Sequence, residues 1–146
     1  MAAAAEWLEG ARPRTLPTAI APVLAGTAIA ITDGGARWGL AALCLVVALG
    51  LVIGVNFAND YSDGVRGSDG DDRVGPLRLV GSGLAEPSHV RTAAFACFVV
   101  SAVAGLVITI MTGHWWFIAV GVVWILAAGF KNRGSQPKGY AGVGER

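Results

Sequence analysis

The chain is 146 residues long, 54% hydrophobic and 14% charged, with a formal net charge of +1 and a mean hydropathy of +0.59. It is too apolar for an ordinary soluble domain and long enough for one domain at most. Its apolar residues come in unbroken runs rather than at amphipathic spacing, so the class is an all-α membrane protein embedded in a lipid bilayer, with no nucleic-acid partner.

Residues 1–15 are a short polar lead in which Trp7 and Leu8 mark an interfacial segment and Arg12-Pro13-Arg14-Thr15 the membrane edge. A first span is expected at about 16–32, roughly 25 Å long against a hydrocarbon core of ~30 Å. Pro22 is expected to kink it, and Gly26 with neighbouring alanines to form a small-residue packing face. Asp33-Gly34-Gly35 is a turn, and a second span runs from about 38 to 58. A third is expected at about 92–112 and a fourth, the shortest, at about 115–130, separated by Gly113-His114-Trp115-Trp116. Cys44 and Cys97 lie inside apolar runs, where each reads as a small buried hydrophobe.

The basic residues set the topology. Arg12 and Arg14 precede span one, Arg66, Arg73, Arg78 and Arg91 lie between spans two and three, and Lys131, Arg133, Lys138 and Arg146 follow span four. Arg37 stands alone on the opposite side. By the positive-inside rule the N-terminus and the loop at about 59–91 are cytoplasmic, and the localisation is the cell (plasma) membrane, multi-pass.

That loop follows a charge-free span, and the segment from Asn56 to Arg78 gathers five aspartates and three arginines. Acidic residues are costly at a bilayer edge and accumulate there mainly for an ion or a polar ligand. If span two stays helical through Asp63, then Asn56, Asp60 and Asp63 fall within about 60° of arc, a hard-oxygen face suited to Mg²⁺. Arg66, Arg73 and Arg78 are natural phosphate partners, permanently charged and able to bind bidentately. The apolar middle of the loop, Leu77 to Leu84, suits a lid at the interface. The bland alternative is a set of solvated charges that cap a helix and fix topology. Asp69-Gly70-Asp71 opens like a calcium loop, but Arg73 stands where the third ligand belongs and no glutamate closes it. A CDP-alcohol phosphotransferase signature fails on spacing as well.

The pattern Asn56-x-x-Asn59-Asp60-Tyr61-x-Asp63, continued by Gly67-Ser68-Asp69-x-x-Asp72-Arg73-x-Gly75-Pro76-Leu77-Arg78, resembles the first aspartate-rich motif of the UbiA superfamily of intramembrane prenyltransferases. Within it the sequence is most similar to the menaquinone branch. Ala11-Arg12-Pro13-x-Thr15-Leu16-Pro17 resembles the family's first helix, and Gly139-Tyr140-Ala141-Gly142-x-Gly144-Glu145 its loop after helix four.

The resemblance implies a multi-helix transmembrane bundle of about nine helices, of which this chain carries four as the N-terminal part of a single prenyltransferase domain. It implies Mg²⁺-dependent transfer of a polyprenyl group from polyprenyl diphosphate to 1,4-dihydroxy-2-naphthoate, giving demethylmenaquinone. It implies Asp60 and Asp63 as catalytic, and Asn56, Asp60, Asp63 and Asp69 as metal ligands. Arg73, Arg78 and Arg12 would bind diphosphate, and Tyr140 and Glu145 would line the acceptor pocket. The family's second aspartate motif is absent here, so the C-terminal helices of the same fold are an expected partner. Two other readings stay open: a non-enzymatic membrane helper or cation-binding module, and an inactive truncated remnant. Spans without internal acidic residues count against an ion pathway.

Overall fold

The computed structural model describes residues 2–66 and 77–123, all of them helix, turn or irregular chain with no strand among them. Helix α1 spans Ala4–Gly10, and the Glu6 carboxylate reaches back to accept the Ala3 N–H at 2.6 Å. After Ala11 the chain enters the left-handed region at Arg12 (φ 57°, ψ 72°), passes through a 3₁₀ turn at Pro13–Thr15, and starts α2, Pro17–Thr32. The change of direction between the two segments is 54°. Proline at the first helical position suits the start of α2, because its missing N–H is one the helix leaves unpaired there. Pro22 lies inside α2 without ending it, and Gly34 (φ +69°) turns the chain out.

Helix α3, Trp38–Arg66, has 29 residues and so rises about 43 Å, more than the ~30 Å a hydrocarbon core needs. The surplus is its polar end, from Asn56 to Arg66. Helix α4, Pro87–Thr112, again begins with proline and stops at Gly113 (φ +72°), whose N–H donates to the Thr109 carbonyl at 2.8 Å. The described residues from Thr109 onward belong to a separate unit and include a further helical stretch, 116–123. There the Trp116 and Phe117 rings lie 4.2 Å apart. Of the fourth expected span, 115–130, residues 124–130 lie outside the described residues.

Among the described residues, α3 and α4 are each long and apolar enough to cross a membrane, and the bent pair of residues 4–15 and 17–32 makes a third if it counts as one span. Their apolar side chains point outward: Phe95 is 60% exposed, Val99 58% and Val103 57%. In water such a surface would aggregate; in lipid it is the solvated face. The chain is an integral membrane protein.

Helix α3 meets α4 through glycine. A Cβ on Gly54 would come 2.7 Å from Phe98, and one on Gly50 would collide with the Ser101 hydroxyl. Ser101 Oγ donates across to the Val47 carbonyl at 3.2 Å. This small-residue spacing is how helices approach closely where lipid removes the hydrophobic drive to associate. The expectation placed such a face at Gly26, but a Cβ there meets nothing within 4 Å. Gly26 is open, and the close contact lies on α3.

Near the polar end of α3 a small core joins three helices and the returning chain. Ala11, Phe57, Leu79, Val90 and Ala94 are buried together, and the Trp7 ring stands edge-on to Phe57 at 5.6 Å. The interfacial lead thus docks on α3 through an aromatic pair.

Candidate functional site

Helix α3 continues through Asp63 to Arg66, so Asn56, Asp60 and Asp63 share one face as the spacing requires. Each is engaged by a different piece of chain. Asn56, 8% exposed, donates from Nδ2 to the Ala11 carbonyl at 2.9 Å and to Thr15 Oγ1 at 2.9 Å. Thr15 Oγ1 in turn donates to the Arg12 carbonyl at 2.8 Å. The network fixes the amide's orientation by itself: a carbonyl only accepts, and a hydroxyl spending its proton on Arg12 must accept from Asn56. Asn56 therefore ties α3 to both sides of the left-handed turn at Arg12, the one non-glycine residue with positive φ among the described residues.

Asp60 is 1% exposed. A buried carboxylate has to be hydrogen-bonded, and here the partners are two successive backbone amides. Leu79 N–H donates to Oδ2 at 2.8 Å and Val80 N–H to Oδ1 at 3.1 Å. The turn carrying them is closed by its own bonds, from Ser82 N–H to the Arg78 carbonyl at 3.1 Å, Gly83 N–H to Val80 at 3.0 Å and Ala85 N–H to Leu79 at 2.9 Å. Leu79 is fully buried, worth about 1.5–3 kcal/mol for a side chain of that size.

Two glycines make room for this turn. A Cβ on Gly10 would lie 2.7 Å from Leu79, and one on Gly64 would lie 2.6 Å from the Val80 Cβ. The apolar lid expected between Leu77 and Leu84 is thus a tightly seated turn, held by the helix that carries the aspartates.

Asp63 completes the arrangement. Its Oδ2 pairs with Arg78 Nη2 at 2.7 Å, the two side chains being 19% and 10% exposed. Arg78 is thereby held twice, through the amides that follow it and through its guanidinium. Tyr61 packs under Arg91, whose guanidinium carbon lies 5.9 Å from the ring centroid.

The structure brings together Asp60, Asp63 and Arg78, and places Asn56 one turn further down α3 with Arg12 on the turn that Asn56 holds. Asp69, Arg73, Tyr140 and Glu145 lie outside the described residues. Among the described residues, no group of three or more His, Cys, Asp or Glu could hold a metal ion. Sequence reasoning missed Thr15, Gly10 and Gly64. Thr15 sits in the first-helix motif quoted above, and Gly64 reads from the sequence as the end of the helix, whereas α3 continues past it to Arg66.

No family model and no solved structure matches the chain. Curated relatives do. The 1,4-dihydroxy-2-naphthoate octaprenyltransferase of Mycobacterium tuberculosis is 57% identical over 99% of this chain and 49% of its own length. The protein of that name from Mycobacterium leprae is 54% identical over 99% of this chain and 49% of its own length. The Escherichia coli protein of that name is 38% identical over 95% of this chain and 47% of its length. The chain spans about half the length of the curated relatives it matches. Nearly all of this chain is thus homologous to about half of proteins named 1,4-dihydroxy-2-naphthoate octaprenyltransferase, a UbiA-family enzyme, and its Asn56–Asp63 segment lies at the polar end of a membrane helix.

Proposed function

We propose that this chain supplies the diphosphate-binding half of a membrane enzyme that moves a polyprenyl group from polyprenyl diphosphate to 1,4-dihydroxy-2-naphthoate. The observation that supports it is the meeting of Asp60, Asp63 and Arg78 at the polar end of an apolar membrane helix. The relatives' shared name supplies the acceptor.

The donor set suits Mg²⁺ rather than a softer metal. It is all hard oxygen, and two carboxylates one turn apart match the one or two that Mg²⁺ takes from a protein. Asp63, the more exposed of the pair, would hold it with Asp69, with Asp60 contributing the lone pairs its amide contacts leave, and Asn56 its side-chain oxygen. Bound there, the ion neutralises charge on the departing diphosphate.

The chain's own residues do the rest. Arg78, presented by the seated turn, offers its planar guanidinium to diphosphate oxygens, with Arg73 and Arg12 as further cations. Placing fixed positive charge where the leaving group gathers electrons lets the allylic C–O bond ionise. The isoprenoid tail lies along the outward apolar faces of α3 and α4. The acceptor ring carbon then attacks the allylic carbon as diphosphate departs and loses its carboxylate as carbon dioxide, giving the hydroquinone demethylmenaquinol, with Tyr140 and Glu145 lining its pocket. The basic-residue asymmetry puts this end of α3 in the cytoplasm of a cell-membrane protein. The second half of the site comes from the part of the family fold that this chain does not match.

The test is prenyl transfer in membranes that contain this chain together with the half of a relative that it does not cover. Product should form with Mg²⁺ and stop on chelation. Product that persists in the chelator removes the metal from the account.

A further inference from the structure

We infer that Asp60 is a positioning residue for Arg78: its carboxylate anchors the turn from Arg78 to Ala85, and the turn sets the guanidinium at the phosphate end of the site. The inference deepens the proposed prenyl transfer and rests on it for its catalytic meaning. Its structural part stands independently.

Four observations converge on the turn. Both Asp60 oxygens are occupied by the consecutive amides of Leu79 and Val80, the residues immediately after Arg78. Asp60 is 1% exposed, so removing its carboxylate leaves one buried and one half-buried N–H facing an empty acceptor. Gly10 and Gly64 both lack the Cβ that would drive the turn out. Arg78 ends on Asp63, so the two acids of α3 divide one task, Asp60 fixing the backbone and Asp63 the side chain. A carboxylate serving only as a metal ligand needs none of this: it would face the phosphate pocket rather than a loop backbone.

The consequence is that substitution at Asp60 acts through Arg78 even where every other oxygen donor is intact. Gly64→Ala tests this from the other side. Alanine favours the helix it sits in, yet its Cβ meets Val80, so it displaces the turn while leaving each carboxylate in place.

The experiment is amide exchange by mass spectrometry on the 146-residue chain in lipid nanodiscs, comparing wild type with Asp60→Asn, Gly64→Ala and Asp63→Asn. Exchange at Leu79 and Val80 should rise about 10- to 100-fold in Asp60→Asn, the factor of a charge-assisted hydrogen bond. It should also rise in Gly64→Ala and stay near wild type in Asp63→Asn, with the middle of α3 protected throughout as the control for folding. Unchanged exchange at both amides in Asp60→Asn overturns the inference. So does equal deprotection of the middle of α3, which would mean global loss of structure.

The catalytic arm uses membranes that also hold the relative's other half. Gly64→Ala should raise KM for polyprenyl diphosphate about tenfold, one weakened phosphate contact, with the Mg²⁺ concentration for half-maximal rate unchanged. A shift in that concentration without a change in KM overturns the positioning role. Loss of amide protection with no transfer by the wild type either would leave the anchor standing and refute the prenyl-transfer reading instead.

Discussion

Asn56 and Thr15 lie 41 residues apart in sequence and share one hydrogen bond of 2.9 Å, which closes a chain of donors running from α3 to the Arg12 carbonyl. Every proton in that chain is accounted for, so its chemistry discriminates between two roles for Asn56. A metal ligand uses the amide oxygen and tolerates aspartate. A clamp uses the amide hydrogens and does not, because a carboxylate facing the Ala11 carbonyl has nothing to donate. Asn56→Asp is expected to lower stability by about 1–3 kcal/mol or more, the cost of buried groups left unpaired. Denaturation in detergent with circular dichroism measures it. Stability equal to wild type would remove the clamp.

Thr15 answers the same question more gently. Thr15→Ser keeps the hydroxyl and should behave as wild type. Thr15→Val keeps the shape, strands one Asn56 N–H and should cost about 1–3 kcal/mol. Equal stability of the two variants would show that the hydroxyl contributes nothing.

Arg12 carries a left-handed backbone that an ordinary side chain adopts at roughly 1–2 kcal/mol. Such conformations persist where the surroundings enforce them, and they concentrate at functional sites. Arg12→Gly should be more stable than Arg12→Ala by about 1 kcal/mol, since glycine alone removes the strain. Both should weaken polyprenyl diphosphate binding alike through loss of the guanidinium. Thermal unfolding compares the pair, and an alanine variant as stable as the glycine one would mean that the turn relaxes without strain.

The glycine contact between α3 and α4 gives a paired test. Gly50→Ala forces its Cβ into the Ser101 hydroxyl and should destabilise by about 1–3 kcal/mol. Ser101→Ala removes one interhelical hydrogen bond, worth about 0.6 kcal/mol in a membrane. The double variant should recover most of the Gly50→Ala loss, because the atom being struck is gone. Simple additivity in the unfolding energies would contradict the close approach.

How much of this was legible beforehand depends on the range of the interaction. The charge-free runs announced α3 and α4, and the 3.6-residue repeat put Asn56, Asp60 and Asp63 on one face, because both signals are local to a helix. What those side chains touch was not legible. Asp60 is bound to residues 19 and 20 positions on, and Asn56 to residues 45 and 41 positions back. A backbone amide leaves no trace in the identity of its residue, so nothing in Leu79 or Val80 advertises a partner for a carboxylate. The glycines carried a fainter mark. Gly64 reads as a helix end, because glycine is unfavourable inside one, and its place within α3 became visible only with Val80 lying against it. Gly26 reads as part of a packing face yet has no such neighbour, so a small residue in a span signals an opportunity for contact and not the contact.

The most direct measurement is prenyl transfer by this chain paired with the relative's other half, with Asp63→Ala and Arg78→Ala run beside wild type. The account expects product from polyprenyl diphosphate and 1,4-dihydroxy-2-naphthoate in wild type. It expects a loss of at least about 100-fold in each variant, since each removes a charged group from the diphosphate end. Inserted, folded wild-type protein that forms no product, or variants that transfer at the wild-type rate, would contradict the assignment of that end of α3 to the reaction.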